Sequence, residues 1–333
     1  MTSDYCFFVG DASLDEYYRA DHWPNHGTKV ELQPIGEFPG GMVANAAAVY
    51  AGYGESAHFC WVMNEGPTTT FLLTDLAQSG VQTRFVGRDK TLADSRCIIV
   101  VSGDDHTVLV PATGLNRIEL SDDAIAAMVG ARYVYTAIGD LRMLWHRDRS
   151  PGEIIAEAQA GGTQLILDLD VADLREGDVE LLRLVDVLLV NRVGMERLRK
   201  GRGEVQVVAD LLAGRLQTLV VTLAGDGCRL YANDGVREIP GIQVDAVDVT
   251  GAGDTFGASF LHVLNRTGDP ELAAFFATGA SARAVTNTGA RAGVATTTTV
   301  MDFIRDHTQP ADDRVARLES ALSTRNTPTT SEP

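Results

Sequence analysis

The stretch Asp248-Val249-Thr250-Gly251-Ala252-Gly253-Asp254-Thr255-Phe256-Gly257 decides how the rest of this chain is read. Ahead of it, Ile242, Val244 and Val247 alternate as in a strand. Behind it, Ala258-Ser259-Phe260-Leu261-His262-Val263-Leu264 has the apolar spacing of a buried helix. A glycine turn therefore sits where a helix begins. Unbonded backbone N–H groups and the positive end of the helix dipole converge there, which suits an anion such as phosphate. Gly251 and Gly253, on either side of Ala252, let the backbone approach that anion without an intervening Cβ. Asp254 is the odd member. A carboxylate among anion-binding amides repels phosphate unless it has a task, and taking a proton from an attacking hydroxyl is such a task. The plainer reading is that an acidic residue suits the first turn of any helix. Two other nucleotide motifs are absent: there is no Gly-x4-Gly-Lys-Ser/Thr, and a dinucleotide fingerprint would put its third glycine where Phe256 stands.

Working outward, 333 residues with a 45% hydrophobic share suit one large α/β domain or two smaller ones. Asp and Glu outnumber Lys and Arg by 45 to 28, a net charge of −17, which argues against nucleic acid and anionic membranes as partners. Cys6, Cys60, Cys97 and Cys228 are scattered without a Cys-x-x-Cys pair. They read as buried thiols of a reducing cytosol rather than a zinc site or disulfide framework. No apolar run reaches the length of a membrane span, and Met1-Thr2-Ser3-Asp4 lacks a basic signal-peptide start, so the expected compartment is the cytoplasm.

Tyr5-Cys6-Phe7-Phe8-Val9 reads as a first central strand ending at Gly10. In open parallel sheets ligands lie beyond the carboxyl ends of strands, so Asp11, Ser13 and Asp15 are candidate contacts; Asp15 could hold sugar hydroxyls through both oxygens. Residues 16–39 suggest exposed strands outside the main sheet, including Lys29-Val30-Glu31-Leu32. Lys29 suits either an anionic substituent or the guarding of a sheet edge. Gly40-Gly41 opens an alanine-rich helix in which Asn45 needs a polar partner. Phe59–Val62 and Val81–Phe85 read as strands. Cys97–Val101 and Thr107–Val110 flank a hairpin signal at Ser102-Gly103-Asp104-Asp105, and with residues 16–39 predict a small antiparallel lid. Tyr133–Tyr135, Leu165–Asp168, Val187–Asn191 and Leu219–Thr222 alternate with helical stretches, which implies a parallel sheet covered on both faces. Asp168, Asn191 and Thr222 fall at strand carboxyl ends. Thr324 to Pro333 reads as a disordered end.

Asp248-x-Thr250-Gly-Ala-Gly-Asp254-Thr255-Phe256 resembles the C-terminal signature of the PfkB, or ribokinase-like, family of sugar and nucleoside kinases. Gly40-Gly41-x3-Asn45-x-Ala47 is similar to its N-terminal signature, and Gly10 to Asp15 to its substrate-binding first strand end. The resemblance runs over about the first 300 residues. It implies a three-layer α/β/α fold over residues 1–310, with a mostly parallel central sheet. A small β lid from about 12–39 and 94–112 would serve as a homodimer interface, and a tail would occupy 311–333. It further implies transfer of the ATP γ-phosphoryl group, with Mg2+, to a hydroxyl of a small sugar, usually a primary alcohol. Asp254 then matches the general base and Gly251, Ala252 and Gly253 the anion hole. Asp15, Gly41 and Asn45 match sugar contacts, with Asp11, Ser13 and Gly40 beside them. Asn191, Thr222, Gly225 and Gly227 fall in the nucleotide-binding segments. Asp248, Thr250, Ala284 and Gly289 lie where many members hold a monovalent cation such as K+.

The chain also departs from the family. The common Asn-x-x-Glu, tied to Mg2+ and phosphate, is Asn191-Arg192-Val193-Gly194. The Thr-Leu-Gly-x-x-Gly turn is Thr222-Leu223-Ala224-Gly225-Asp226-Gly227, and Gly293 stands where a hydroxyl residue often completes the cation site. Lys29, Arg142 and Gly289-Ala290-Arg291-Ala292-Gly293 resemble a sub-branch that includes sulfofructose kinases, where paired cations suit an anionic ketohexose derivative. A neutral sugar, a nucleoside, and a non-catalytic sugar-binding regulator on the same scaffold are the alternatives.

Overall fold

The structure, a computed structural model, describes residues 3–103, 105–169, 174–309 and 312–323. Asp104, Thr324–Pro333 and the start of the expected tail fall outside them. Among the described residues, twelve of the strands form the two larger sheets: β1 (Ser3–Val9), β2 (Ser13–Arg19), β3 (Gln33–Gly40), β4 (Ala57–Cys60), β5 (Arg96–Ser102), β6 (Asp105–Leu109), β7 (Ala131–Ala137), β8 (Gln164–Leu169), β9 (Val187–Asn191), β10 (Thr218–Thr222), β11 (Gly227–Ala232) and β12 (Gly235–Pro240). The larger sheet has the order β12-β11-β10-β9-β8-β7-β1-β4. From β10 to β4 every pairing is parallel; β11 and β12 run antiparallel at one edge.

The strand sequences explain this arrangement. Phe7, Phe8, Val134, Tyr135, Ile166, Leu167, Leu188 and Leu219 are buried on both faces, as parallel strands covered by helices require. Helices Met42–Gly52, Ala252–Thr267 and Pro270–Ala284 pack together on one face, while Asp122–Gly130, Pro151–Ala160 and Arg192–Arg199 pack on the other. This is a three-layer α/β/α fold. Strand order reverses between β1 and β7, so the crevice beyond their carboxyl ends is the place such a sheet offers a ligand.

The smaller sheet, β3-β2-β5-β6, is mixed rather than antiparallel as expected. β2 pairs parallel with β5 because the chain crosses through the main sheet between them, whereas β5 and β6 form the anticipated hairpin. Three other expectations change. Lys29–Leu32 lies in the connection 20–32, outside any strand. Val81–Phe85 contributes only a bridge at Gln82, because the chain turns back at once from Thr83 to Val86. Residues 241–249 are irregular, although their alternation suggested a strand. They cross from the sheet edge to a helix start, and the N–H groups of Val247 and Asp248 bond to the Val285 carbonyl instead of to a neighbouring strand. Beyond the kinase signatures, Asp313–Ser323 is a helix with Leu318 fully buried, so part of the expected tail is packed.

Candidate active site

Helix Met42–Gly52 starts against the loop after β1. Gly41 has φ +93°, and a Cβ there would lie 2.6 Å from Ala12 Cα and 2.7 Å from the Asp11 carbonyl oxygen. Both are backbone atoms that cannot move aside, so only glycine lets the helix approach this closely. One turn in, Asn45 is 3% exposed. Its Nδ2 donates to Asp254 Oδ2 at 2.8 Å, and its Oδ1 accepts from Arg291 Nε at 3.1 Å. Both ends of the amide are therefore satisfied; leaving either unpaired would cost about 1–3 kcal/mol. Asp15, on β2, is 6% exposed and accepts from Ser13 Oγ at 2.9 Å. Opposite it, a Cβ on Gly40 would sit 2.1 Å from the Asp15 carboxylate. Burial pushes the Asp15 carboxyl above its ordinary range, while the Ser13 bond and the Arg291 charge act against that.

Arg291 is the member of this cluster that motif reasoning left without a role. It lies inside the Gly289–Gly293 stretch as the single long side chain among small residues, and that contrast was the available signal. Burial lowers its guanidinium to about 10, against the Asp15 charge, and Nη1 forms an ion pair with Asp75 of helix Pro67–Gln78. The other two cations are placed differently. Lys29 is exposed in the 20–32 connection, with no contact to the cluster among the described residues. Arg142 Nη2 is paired with buried Asp178 at 2.7 Å. At the strand-order switch, burial and then the Asp11 charge push the Asp140 carboxyl well up, with Arg142 opposing.

The glycine turn joins this cluster through Asp254. Gly251 has φ +75°, and a Cβ there would fall 1.9 Å from the Ala290 carbonyl oxygen, so the turn is locked against the 289–293 loop. The helical ladder begins only at Thr255 N–H to Gly251 O, 2.9 Å. Ahead of it, the Gly253 N–H has no partner among the described residues, and a Cβ on Gly253 would meet nothing within 4 Å. Ala252 N–H bonds to the Val249 carbonyl at 3.2 Å. The turn thus opens onto free space beside a carboxylate. Gly293 stands close to Thr255: a Cβ there would lie 2.0 Å from Thr255 Oγ1, so that hydroxyl fills the room of the missing side chain.

Beyond the β9 and β10 ends, Asn191 Oδ1 accepts the Gly194 N–H at 2.8 Å and caps helix Arg192–Arg199. A Cβ on Gly194 would come 2.6 Å from the Leu169 carbonyl oxygen. The missing glutamate therefore has a local reason: the helix start is pressed against β8. Thr222 Oγ1 donates to the Val190 carbonyl at 3.4 Å. Gly225 faces open space, whereas Gly227, at φ +95°, has no room for a Cβ against the Ile239 carbonyl oxygen, 2.1 Å away. Arg192 crosses this turn to Asp226 and the Leu223 carbonyl.

Asp248 links the two loops near Thr250 and Gly289, accepting the N–H of each at 2.9 Å. Burial acts to raise its carboxyl, but those two bonds together with the Thr250 side chain and the His106 charge make the net shift downward. The Ala284 carbonyl accepts from Asn287 N–H at 3.0 Å. Among the described residues no three His, Cys, Asp or Glu side chains gather as a metal cluster, and no helix is long and apolar enough to cross a membrane.

Comparison with known proteins identifies the fold and the family. A Bacillus subtilis ribokinase is 25% identical over 305 residues, covering 89% of this chain and 98% of that protein. The structure of Arabidopsis thaliana ribokinase complexed with ribose and ATP superimposes with a TM-score of 0.76 at 21% identity, covering 92% of this chain and 99% of that one. A candidate ribokinase II from E. coli, in complex with ATP and Mg2+, gives 0.76 at 16% identity, covering 92% and 100%. The family model for pfkB family carbohydrate kinases matches residues 3–297. Taken with the two signatures and the α/β/α fold, that match establishes that this chain belongs to the pfkB family of carbohydrate kinases, phosphotransferases that act on an alcohol group.

Proposed function

We propose that this chain phosphorylates a primary hydroxyl of a small neutral sugar with ATP, and that Asp254 is the general base. The observation that carries the reading is the Asn45–Asp254 hydrogen bond at the mouth of an open glycine turn. It brings a buried amide, a carboxylate and the unbonded Gly253 N–H together. The acceptor hydroxyl gives its proton to the Asp254 carboxylate as its oxygen bonds to the γ-phosphorus. The bond from that phosphorus to the bridging oxygen breaks, and ADP leaves. Gly251, Ala252 and Gly253 present backbone dipoles to the moving phosphoryl group, so the protein acts by positioning and by fixed charge stabilisation.

Asp11, Ser13, Asp15, Gly40, Gly41 and Asn45 hold the sugar. Thr222, Gly225, Gly227 and Asn191 face the nucleotide, with the open space at Gly225 and Gly253 fitting its phosphates. Mg2+ supplies charge neutralisation on the nucleotide. No acidic cage gathers among the described residues, so a bound Mg2+ would rely on the nucleotide's own oxygens for much of its coordination. Asp248, Thr250, Ala284 and Gly289 form the candidate K+ site.

Charge pairing supports a neutral sugar: Asp75 sits against Arg291, Asp178 against Arg142, and Lys29 is exposed in the 20–32 connection. The smaller sheet acts as a lid. Ile35, Val108 and Leu109, exposed on its edge strands β3 and β6, support pairing of two copies through it.

The test is an ADP-release screen over ketoses, aldoses, acidic sugars and nucleosides with Mg2+, with and without K+, on the natural chain and on Asp254→Asn. Turnover with a neutral sugar that disappears in the variant, with sugar binding kept, is the expected result. Full turnover in Asp254→Asn overturns the base assignment. Sugar binding with no ADP release from any compound would favour a regulator on the same scaffold.

A further inference from the structure

Arg291 and Asp254 are joined by a single side chain. Asn45 uses one end of its amide for each, and Arg291 is held from behind by Asp75. A guanidinium has only N–H donors and no acceptor, and an ionised carboxylate has only acceptors. The amide between them can therefore satisfy both neighbours in one orientation only, oxygen towards Arg291 and nitrogen towards Asp254. Asn45 sits at 3% exposure, where no solvent can repair a flipped amide. Arg291 in turn has little freedom. Its side chain is 10% exposed, it is anchored on Asp75, and its loop is fixed by the contact of Gly251 with the Ala290 carbonyl.

We propose that Arg291 is a positioning residue: through the Nε–Asn45 bond it fixes the polarity and placement of the amide that aims the Asp254 carboxylate at the acceptor hydroxyl. The inference rests on the assignment of Asp254 as the base. It attributes to Arg291 an effect on the chemical step that is exerted through Asn45. The Asp75–Arg291–Asn45–Asp254 chain ties three separate segments to one carboxylate, so a small displacement at its far end reaches the reacting oxygen. Misplacement of about 1 Å at such a point can lower a rate about 100-fold.

Two variants isolate the donor. In Arg291→Gln the amide nitrogen takes the place of Nε and can still donate to Asn45. In Arg291→Met a methyl takes that place and cannot. Both lose the guanidinium head and leave Asp75 without its ion pair, so a purely structural role predicts equal melting and equal kinetics for the two. The expected result is that kcat in Arg291→Met falls at least tenfold below that in Arg291→Gln, with the two melting temperatures and the two ATP KM values alike. In an Asn45→Ala background the Arg291→Met change should remove less than threefold further. Equal kcat in Gln and Met variants while Asp254→Asn is inactive overturns the positioning role and leaves the base assignment standing; an active Asp254→Asn overturns both. A tenfold further loss in the Asn45→Ala background also overturns it, because Arg291 would then act independently of Asn45. Should Arg291→Met not fold, Asp75→Leu/Arg291→Met and Asp75→Leu/Arg291→Gln, which remove the buried acid with its partner, make the same comparison.

Discussion

The two ends of helix Ala252–Thr267 are built from similar materials and left in opposite states. Both reach across to the segment that begins at Met42. At the amino end, Asn45 bonds Asp254, Gly253 faces open space, and a backbone N–H stands ahead of the helical ladder. At the carboxyl end the polar groups close on one another. Tyr53 and Ser259 share a hydrogen bond of 2.6 Å, and Asn265 donates to Tyr50 at 3.3 Å. Glu55 accepts from Arg266 at 2.6 Å and meets His262 Nδ1 at 2.9 Å, while His262 Nε2 lies 3.0 Å from Thr297 Oγ1. Tyr53 stacks on the His262 ring at 4.5 Å. A buried polar group serves chemistry where it is left facing space and serves stability where its neighbours enclose it.

That contrast can be broken, beginning with the largest expected effect. Asp254→Asn should lower kcat about 1,000-fold, within the span of general-base losses, while its melting temperature stays close to that of the natural chain. A large drop in melting temperature would mean that the open end is structural after all. Glu55→Ala leaves buried His262 and half-buried Arg266 without their carboxylate. Chemical denaturation should show a loss of about 3 kcal/mol, with kcat within twofold; a comparable loss of turnover would show that the two ends are not separable.

Gly253→Ala adds a methyl that meets no protein atom. The fold should be unaffected, but kcat/KM for ATP should fall about tenfold because that methyl enters space meant for an anion. An unchanged kcat/KM would place the phosphoryl group elsewhere. A smaller effect concerns pH. Burial lowers the His262 ring below its ordinary value of 6.5, with Glu55 opposing. The folded state thus favours the neutral ring. Its contribution is complete above pH 6.5 and is lost as pH falls through the lowered folded value. Melting temperature should decline with acidification across that window, and His262→Gln should flatten the decline. Smallest of all, Arg192→Ala breaks an ion pair whose side chains are 60% and 74% exposed, and should change the ATP KM by less than twofold.

Much of this was legible in the sequence because the informative features are local. A glycine turn ahead of an apolar helix, an aspartate within it, and an asparagine in an alanine-rich helix each pose a short-range physical question. The parallel sheet was legible for the same reason, since β7 to β10 are short apolar runs with helical spacing between them. What could not be read depends on distance. Asn45 and Arg291 lie 246 positions apart, and no local pattern says that they meet. Residues 241–249 alternate like a strand, yet the Val285 carbonyl claims their backbone. The parallel pairing of β2 with β5 likewise follows from a long crossover, which leaves no trace in either strand.

Gly194 carries a consequence for how this chain can change. The family's usual glutamate cannot be regained there by exchanging one residue, because any side chain first collides with the Leu169 carbonyl oxygen. Helix Arg192–Arg199 would have to draw back from β8 beforehand, disturbing the Asn191 cap in the process. A longer side chain at 194 is therefore a two-step change, in which the neighbouring backbone must yield before the new residue can be seated.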